Sequence, residues 1–159
     1  MSLQLEVKNI LASWPHFQSG ESVLAATADG QEVRCELTAL DSMACAFQSL
    51  LLHSSALAGR SAEQLKGVAE KLSARLTYLL EPISPIEIDA QGCLVQMRSN
   101  PPQKGEDGTT YYELLVARSG ELSLRRFNAA QRGQRTAIAA QVTREVLLRL
   151  VGDFSAVAR

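Results

Sequence analysis

SVLAATADGQEVRCEL, residues 22–37, decides the fold. Two runs in which apolar and polar residues alternate flank Asp29-Gly30. Asp-Gly favours a two-residue hairpin turn, because both positions tolerate positive φ. That turn sets the register. Leu24 faces Cys35 and Ala26 faces Val33, with Leu37 on the same apolar side, while Val23, Ala25 and Thr27 oppose Glu36, Arg34 and Glu32. One face belongs to a core and the other to solvent, as in an antiparallel sheet covered on one side.

A second hairpin is predicted late in the chain, where YYELLVAR (111–118) and ELSLRRF (121–127) flank Ser119-Gly120. A two-residue turn there pairs Arg118 with Glu121, Glu113 with Arg126, Leu115 with Leu124 and Ala117 with Leu122. One face then carries Leu115, Ala117, Leu122 and Leu124, and the other Tyr112, Leu114, Val116 and Phe127.

Between the hairpins, MACAFQSLLL (43–52) carries apolar groups at both parities, which fits a strand covered on both sides or a short helix, and its place after a hairpin and a tight bend at Asp41-Ser42 favours the strand. A helix follows over 62–80, with Ser61 and Gln64 as a capping box and Pro82 as its stop. Strands are predicted at 84–89 and 93–99, then a loop over NPPQKGEDG (100–108). The spacing of Leu3, Val7, Ile10 and Leu11 predicts a short helix over 3–13. That of Ile138, Val142, Val146 and Leu150 predicts a last helix over 134–150.

The expected architecture is therefore a single α+β domain over 1–159. It is a largely antiparallel multistranded sheet with two long helices packed against one face and a short N-terminal helix. The 159 residues suffice for one core and would make two weak ones. The order and length of the elements are similar to those of small bacterial chaperones that hold secreted proteins, a similarity carried by no residue motif.

Composition narrows the function. A formal charge of −1, from 16 basic and 17 acidic residues, argues against a nucleic-acid or anionic-membrane partner. No apolar run approaches the roughly 20 residues of a membrane span, and the first residues, with Glu6 among them, do not read as a secretion signal. Three cysteines, Cys35, Cys45 and Cys93, cannot all pair within the chain and form no CxxC, which fits buried thiols in a cytoplasmic protein.

Catalytic material is scarce. The two histidines, His16 and His53, stand far apart in sequence. Cys45 and His53 on one straight strand would be roughly 26 Å apart. The carboxylates of Asp41, Glu87, Asp89, Glu106 and Asp107 single out no metal site, and there is no dinucleotide fingerprint, phosphate loop or nucleophile elbow. No catalytic, metal or cofactor residue is assigned.

The most uneven charge lies at residues 118–149, where seven arginines meet two glutamates, a local excess of five positive charges. Arg125, Arg126, Arg132 and Arg135 are the candidate anion site, with long stems covering apolar surface as the structural alternative. Tyr112, Leu114, Val116 and Phe127 are the candidate protein interface, an apolar face that a second copy in a homodimer could cover. The function expected is a non-catalytic interaction or assembly protein, an adaptor or chaperone. The alternative is a small-molecule or phosphate-binding protein, or an enzyme built on the C-terminal arginines.

Overall fold

A computed structural model describes residues 2–92, 94–106, 108–130 and 133–159. The first hairpin forms as its turn dictates. β1 (Ser22–Ala28) and β2 (Gln31–Leu40) pair with Leu24 opposite Cys35 and Ala26 opposite Val33. Asp29 and Gly30 take φ of 53° and 76°, the two positive values that a primed turn needs. β3 (Ala44–Ser54) follows as a strand, paired with β2.

The bend between β2 and β3 is closed by Asp41, whose carboxylate accepts from the amides of Ala44 at 2.7 Å and Met43 at 2.8 Å. Those bonds, Ala44 first, hold its carboxyl below the usual aspartate value. A depressed folded-state pKa contributes stability above the unfolded value, and that contribution is lost as pH falls through the folded one. Asp41→Ala is thus expected to melt earlier than wild type at neutral pH. The gap should close below about pH 3, as followed by thermal denaturation across pH.

α1 (Leu3–Ser13) buries Leu3, Val7 and Leu11, and Ser2 caps it by accepting from the Leu5 amide. α2 (Ala62–Arg75) starts with the expected capping box of Ser61 and Gln64. It ends five residues before the predicted boundary, well ahead of Pro82. Leu76 leaves helical geometry at φ −82° and ψ 65°. Tertiary contacts override helix propensity there. Leu76 and Leu79 turn into the core, Tyr78 donates to Asp153 Oδ2 at 2.6 Å, and Ser73 Oγ donates to the Ile83 carbonyl.

β4 (Ile83–Asp89) and β5 (Leu94–Ser99) form the next pair, with a bulge between Pro85 and Glu87. Cys93, predicted at the start of β5, lies outside the described residues. Residues 100–108 are not a plain loop. β6 (Gln103–Gly105) lies within them and pairs with the start of β7 (Gly108–Ala117).

The β7 hairpin with β8 (Glu121–Ala129) forms, but one residue out of the predicted register. Its loop has three residues, Arg118 to Gly120: the Gly120 amide donates to Ala117 O, and Gly120 takes φ 96°. A turn followed by a left-handed glycine is the usual three-residue solution. A side chain here would also put its Cβ 2.7 Å from the Ser54 carbonyl oxygen. Consequently Tyr111, not Tyr112, pairs with Phe127; Leu114 pairs with Leu124 and Glu113 with Arg125. A slip of one residue moves side chains to the other face.

Residues 134–143, predicted as helix, are two short strands, β9 (Arg135–Ile138) and β10 (Ala140–Thr143). α3 (Arg144–Val157) begins only there, capped by Thr143 Oγ1 accepting from the Val146 amide at 3.1 Å, and it buries Leu147, Leu150, Val151 and Phe154. The four-residue spacing of Ile138, Val142 and Val146 imitates a helix. The backbone instead finds partners in the sheet.

All ten strands of the described residues belong to one antiparallel sheet, ordered β1-β2-β3-β8-β7-β5-β4 with β6, β9 and β10 to the side. The helices share one face: α1 on β1 and β2, α3 on β3, α2 on β4, β5 and β7. Beneath them lie Leu24, Val33, Leu50, Leu52, Leu114, Val116, Leu122, Leu124, Val95 and Met97, all without exposed surface. No helix among the described residues is long and apolar enough to cross a membrane.

Candidate groove at the fork of the sheet

β3 and β8 pair only over Leu50–His53 and Glu121–Leu124. Beyond that they part. The first half of β3, Ala44–Phe47, takes β10 as its neighbour, and the second half of β8, Arg126–Ala129, takes β9. Both pairings are antiparallel, so β9 runs toward the fork, the chain reverses at Ala139, and β10 runs away from it. Each of these two strands has one edge with no partner strand among the described residues.

A groove of about 550 Å³ opens at this apex on the helix side of the sheet. Ile138, Ala139, Val142 and Val146 line one wall, and Tyr78, Leu79 and Leu80 from the α2–β4 connection line the other. The floor is an ion pair. Arg126 Nη2 donates to Glu81 Oε2 at 2.9 Å and to Thr110 Oγ1 at 2.9 Å, and its guanidinium lies 4.4 Å from the centroid of the Tyr112 ring. The side chains of Arg126 and Glu81 are only 12% and 8% exposed. Arg126 Nη1 and Glu81 Oε1 are buried without a partner among the described residues. Burial raises the Tyr112 hydroxyl pKa, and burial with the bond to Asp153 raises that of Tyr78, so both stay neutral donors.

The predicted anion site does not assemble. Arg126 is under the helices. Arg125 and Arg135 are on the opposite, open face of the sheet, and Arg132 lies outside the described residues. Arg135 Nη1 donates to Glu113 at 2.5 Å and its guanidinium sits 4.0 Å from the Phe127 ring, the Glu113 bond being the main cause that raises its pKa. Glu113, nearly buried, also accepts from Gln96 Nε2 at 2.9 Å. Arg98, which sequence reasoning passed over, completes this cluster at 4.7 Å from the Tyr111 ring.

The predicted interface is divided too. Tyr112, Leu114 and Val116 are core residues beneath the helices, whereas Phe127 is on the open face against Tyr111, with ring centroids 6.0 Å apart. The shifted register explains the split.

The remaining candidates stay apart. Cys45 and His53 occupy opposite ends of β3. Cys35 and Cys45 are free and buried; burial pushes the Cys45 thiol up to about 11 and Cys35 well above its ordinary value. Thiols held protonated in this way are poor nucleophiles. Asp107 lies outside the described residues, and among those described no three His, Cys, Asp or Glu side chains are grouped to hold a metal. Glu81 and Tyr78 enter the groove from the α2–β4 connection and Gln103 from the three-residue β6, where no periodicity marks them. The nearest signal is the chain reversal around Pro82. No family model matches this chain, and neither does any curated protein or any solved structure.

Proposed function

We propose that this is a non-catalytic interaction protein, an adaptor or chaperone, which takes an extended apolar segment of a partner protein into the fork between β9 and β10. The observation that carries the reading is two strand edges, unpartnered among the described residues, meeting at a groove with one aliphatic wall of Ile138, Ala139, Val142 and Val146. Strand edges offer main-chain hydrogen bonds to an extended peptide, and pockets beside them select its side chains. The aliphatic wall favours apolar residues, and the Gln103, Gln141 and Thr143 side chains beside it add polar contacts.

The groove suits a neutral segment better than an anion. Arg126, the one cation lining it among the described residues, is matched by Glu81, whose carboxylate would repel a second negative charge. Two buried free thiols fit a reducing compartment such as the cytoplasm.

Random dodecapeptides displayed on phage supply the test. Selection on the wild-type protein is expected to enrich sequences with apolar residues at every second position. A synthetic peptide of that kind should bind Val142→Asp at least about tenfold more weakly, a loss typical of one desolvated apolar contact replaced by charge. Val23→Asp, on the far side of the sheet, should bind as wild type does. Hydrogen exchange should slow at residues 136–143 when the peptide is bound. No enrichment, or equal losses in the two variants, would refute the proposal.

A further inference from the structure

On the open face of the sheet, three arginines surround one carboxylate. Glu113 stands in the middle of a row, with Arg98 of β5 as its cross-strand partner on one side and Arg125 of β8 on the other. Direct antiparallel partners share a face. Arg135 reaches the same place from β9. Arg135 Nη1 and Arg98 Nη2 stand 2.5 and 3.8 Å from a single oxygen, Glu113 Oε2. Arg125 is exposed and, among the described residues, belongs to no ion pair.

One glutamate neutralises one arginine, so the cluster keeps an excess of two positive charges. Lys104, opposite Thr109, and Glu87, opposite Gln96, stand in rows to either side and offset each other. The Glu113 side chain is 7% exposed, whereas those of Arg98 and Arg135 are 38% and 43% exposed. The carboxylate thus lies beneath, and the guanidinium groups face solvent. Arg98 Nε has no acceptor among the described residues. The rings of Tyr111 and Phe127 support the Arg98 and Arg135 guanidinium groups at 4.7 and 4.0 Å. Planar forks already held on rings lose little freedom when they take an oxyanion.

We propose that this cluster binds the phosphate of a phosphorylated serine or threonine on a partner protein. Three features select that occupant. A phosphomonoester carries about −1.5 to −2 charges at neutral pH, which matches the excess, and its oxygens suit several guanidinium forks. None of the cluster's residues lines any of the four main hollows of the surface. Small molecules are bound in concave sites, so an open face suits a group presented by a larger surface. Tyr111 and Phe127 are buried under guanidinium groups, and a nucleic-acid base finds no ring there to stack on. The fork groove is on the other side of the sheet, so this site stands whether or not the groove takes a peptide.

Nuclear magnetic resonance titration of the labelled protein at low ionic strength tests it, with a short glycine–alanine peptide carrying one phosphoserine as the probe. Saturable shifts are expected at the amides of Glu113, Arg125, Phe127 and Arg135, and none there with the same peptide unphosphorylated. Arg125→Ala removes a side chain that no ion pair ties to the fold. It should bind the phosphopeptide at least about tenfold more weakly, the loss of one hydrogen bond to a charged group. Lys66→Ala, an equal loss of charge on the exposed side of α2 across the sheet, should bind as wild type does. No saturable shift, binding that ignores phosphorylation, or equal binding by wild type and Arg125→Ala overturns the proposal. Inorganic phosphate binding as tightly as the peptide would assign the site to a free ion, and a uridine hexanucleotide binding more tightly would assign it to nucleic acid. Either result also overturns it.

Discussion

Val116→Asp is expected to unfold the protein. Val116 has no exposed surface, and it sits between Val95 of β5 and Leu122 of β8, which have none either. An ionised carboxylate there has no partner, so the cost is at least about 4 kcal/mol. A domain of this size has only about 5–15 kcal/mol in total. The variant should lose its cooperative thermal transition by circular dichroism or melt far below wild type. A folded variant with an unchanged melting temperature would place Val116 on a surface and contradict the β7–β8 register. The pairing read from the sequence put Val116 on such a surface, where the same change would split a dimer and spare the fold.

Arg126→Met carries the next largest effect. It leaves Glu81 charged beneath the groove with its main partner gone, and breaking one half of a buried pair costs about 3–5 kcal/mol. Replacing both, as Glu81→Leu with Arg126→Met, should restore stability to within about 1 kcal/mol of wild type, because a buried pair exchanged for packed apolar groups is often neutral. The unpartnered Arg126 Nη1 and Glu81 Oε1 make that recovery more favourable still. Urea denaturation of the two single variants and the double variant completes the cycle. A loss under about 1 kcal/mol in Arg126→Met would show that the pair is solvated.

How much was legible in the sequence follows from how tightly each turn constrains the chain. Asp29-Gly30 admits one register, since its two positive φ values match a two-residue loop, and the first hairpin was readable to the residue. Ser119-Gly120 resembles it, but serine does not carry the first positive φ. The loop gains a residue, and each predicted pair beyond it shifts. Leu114 and Val116 then join Leu122 and Leu124 on one face, where the sequence pattern had placed the two sets on opposite faces. Residues 134–143 were unreadable for another reason. Ile138, Val142 and Val146 fit a helical spacing, and what makes 135–143 extended is the parting of β3 and β8, far away in sequence. The groove is hidden by the same logic. Glu81, Tyr112, Arg126 and Val142 come from four segments that converge only after the sheet has closed.

The route by which the sheet closes shapes how the protein must be made. β3 acquires its neighbour β10, and α1 its cover α3, from the last twenty residues of the chain. The Gln31 side chain donates to the Ser155 carbonyl at 3.0 Å, and Ser54 Oγ to Ala158 O at 2.7 Å. Synthesis delivers about 5–20 residues per second. β3 therefore waits several seconds on the ribosome with Leu50 and Leu52 bare, until α3 emerges to cover them. Closing so long a loop is slow and leaves the first half of β3 open to strangers in the meantime. A polypeptide of this design is most vulnerable while it is still being translated, and any shortening of its C-terminal end would make that vulnerable interval permanent.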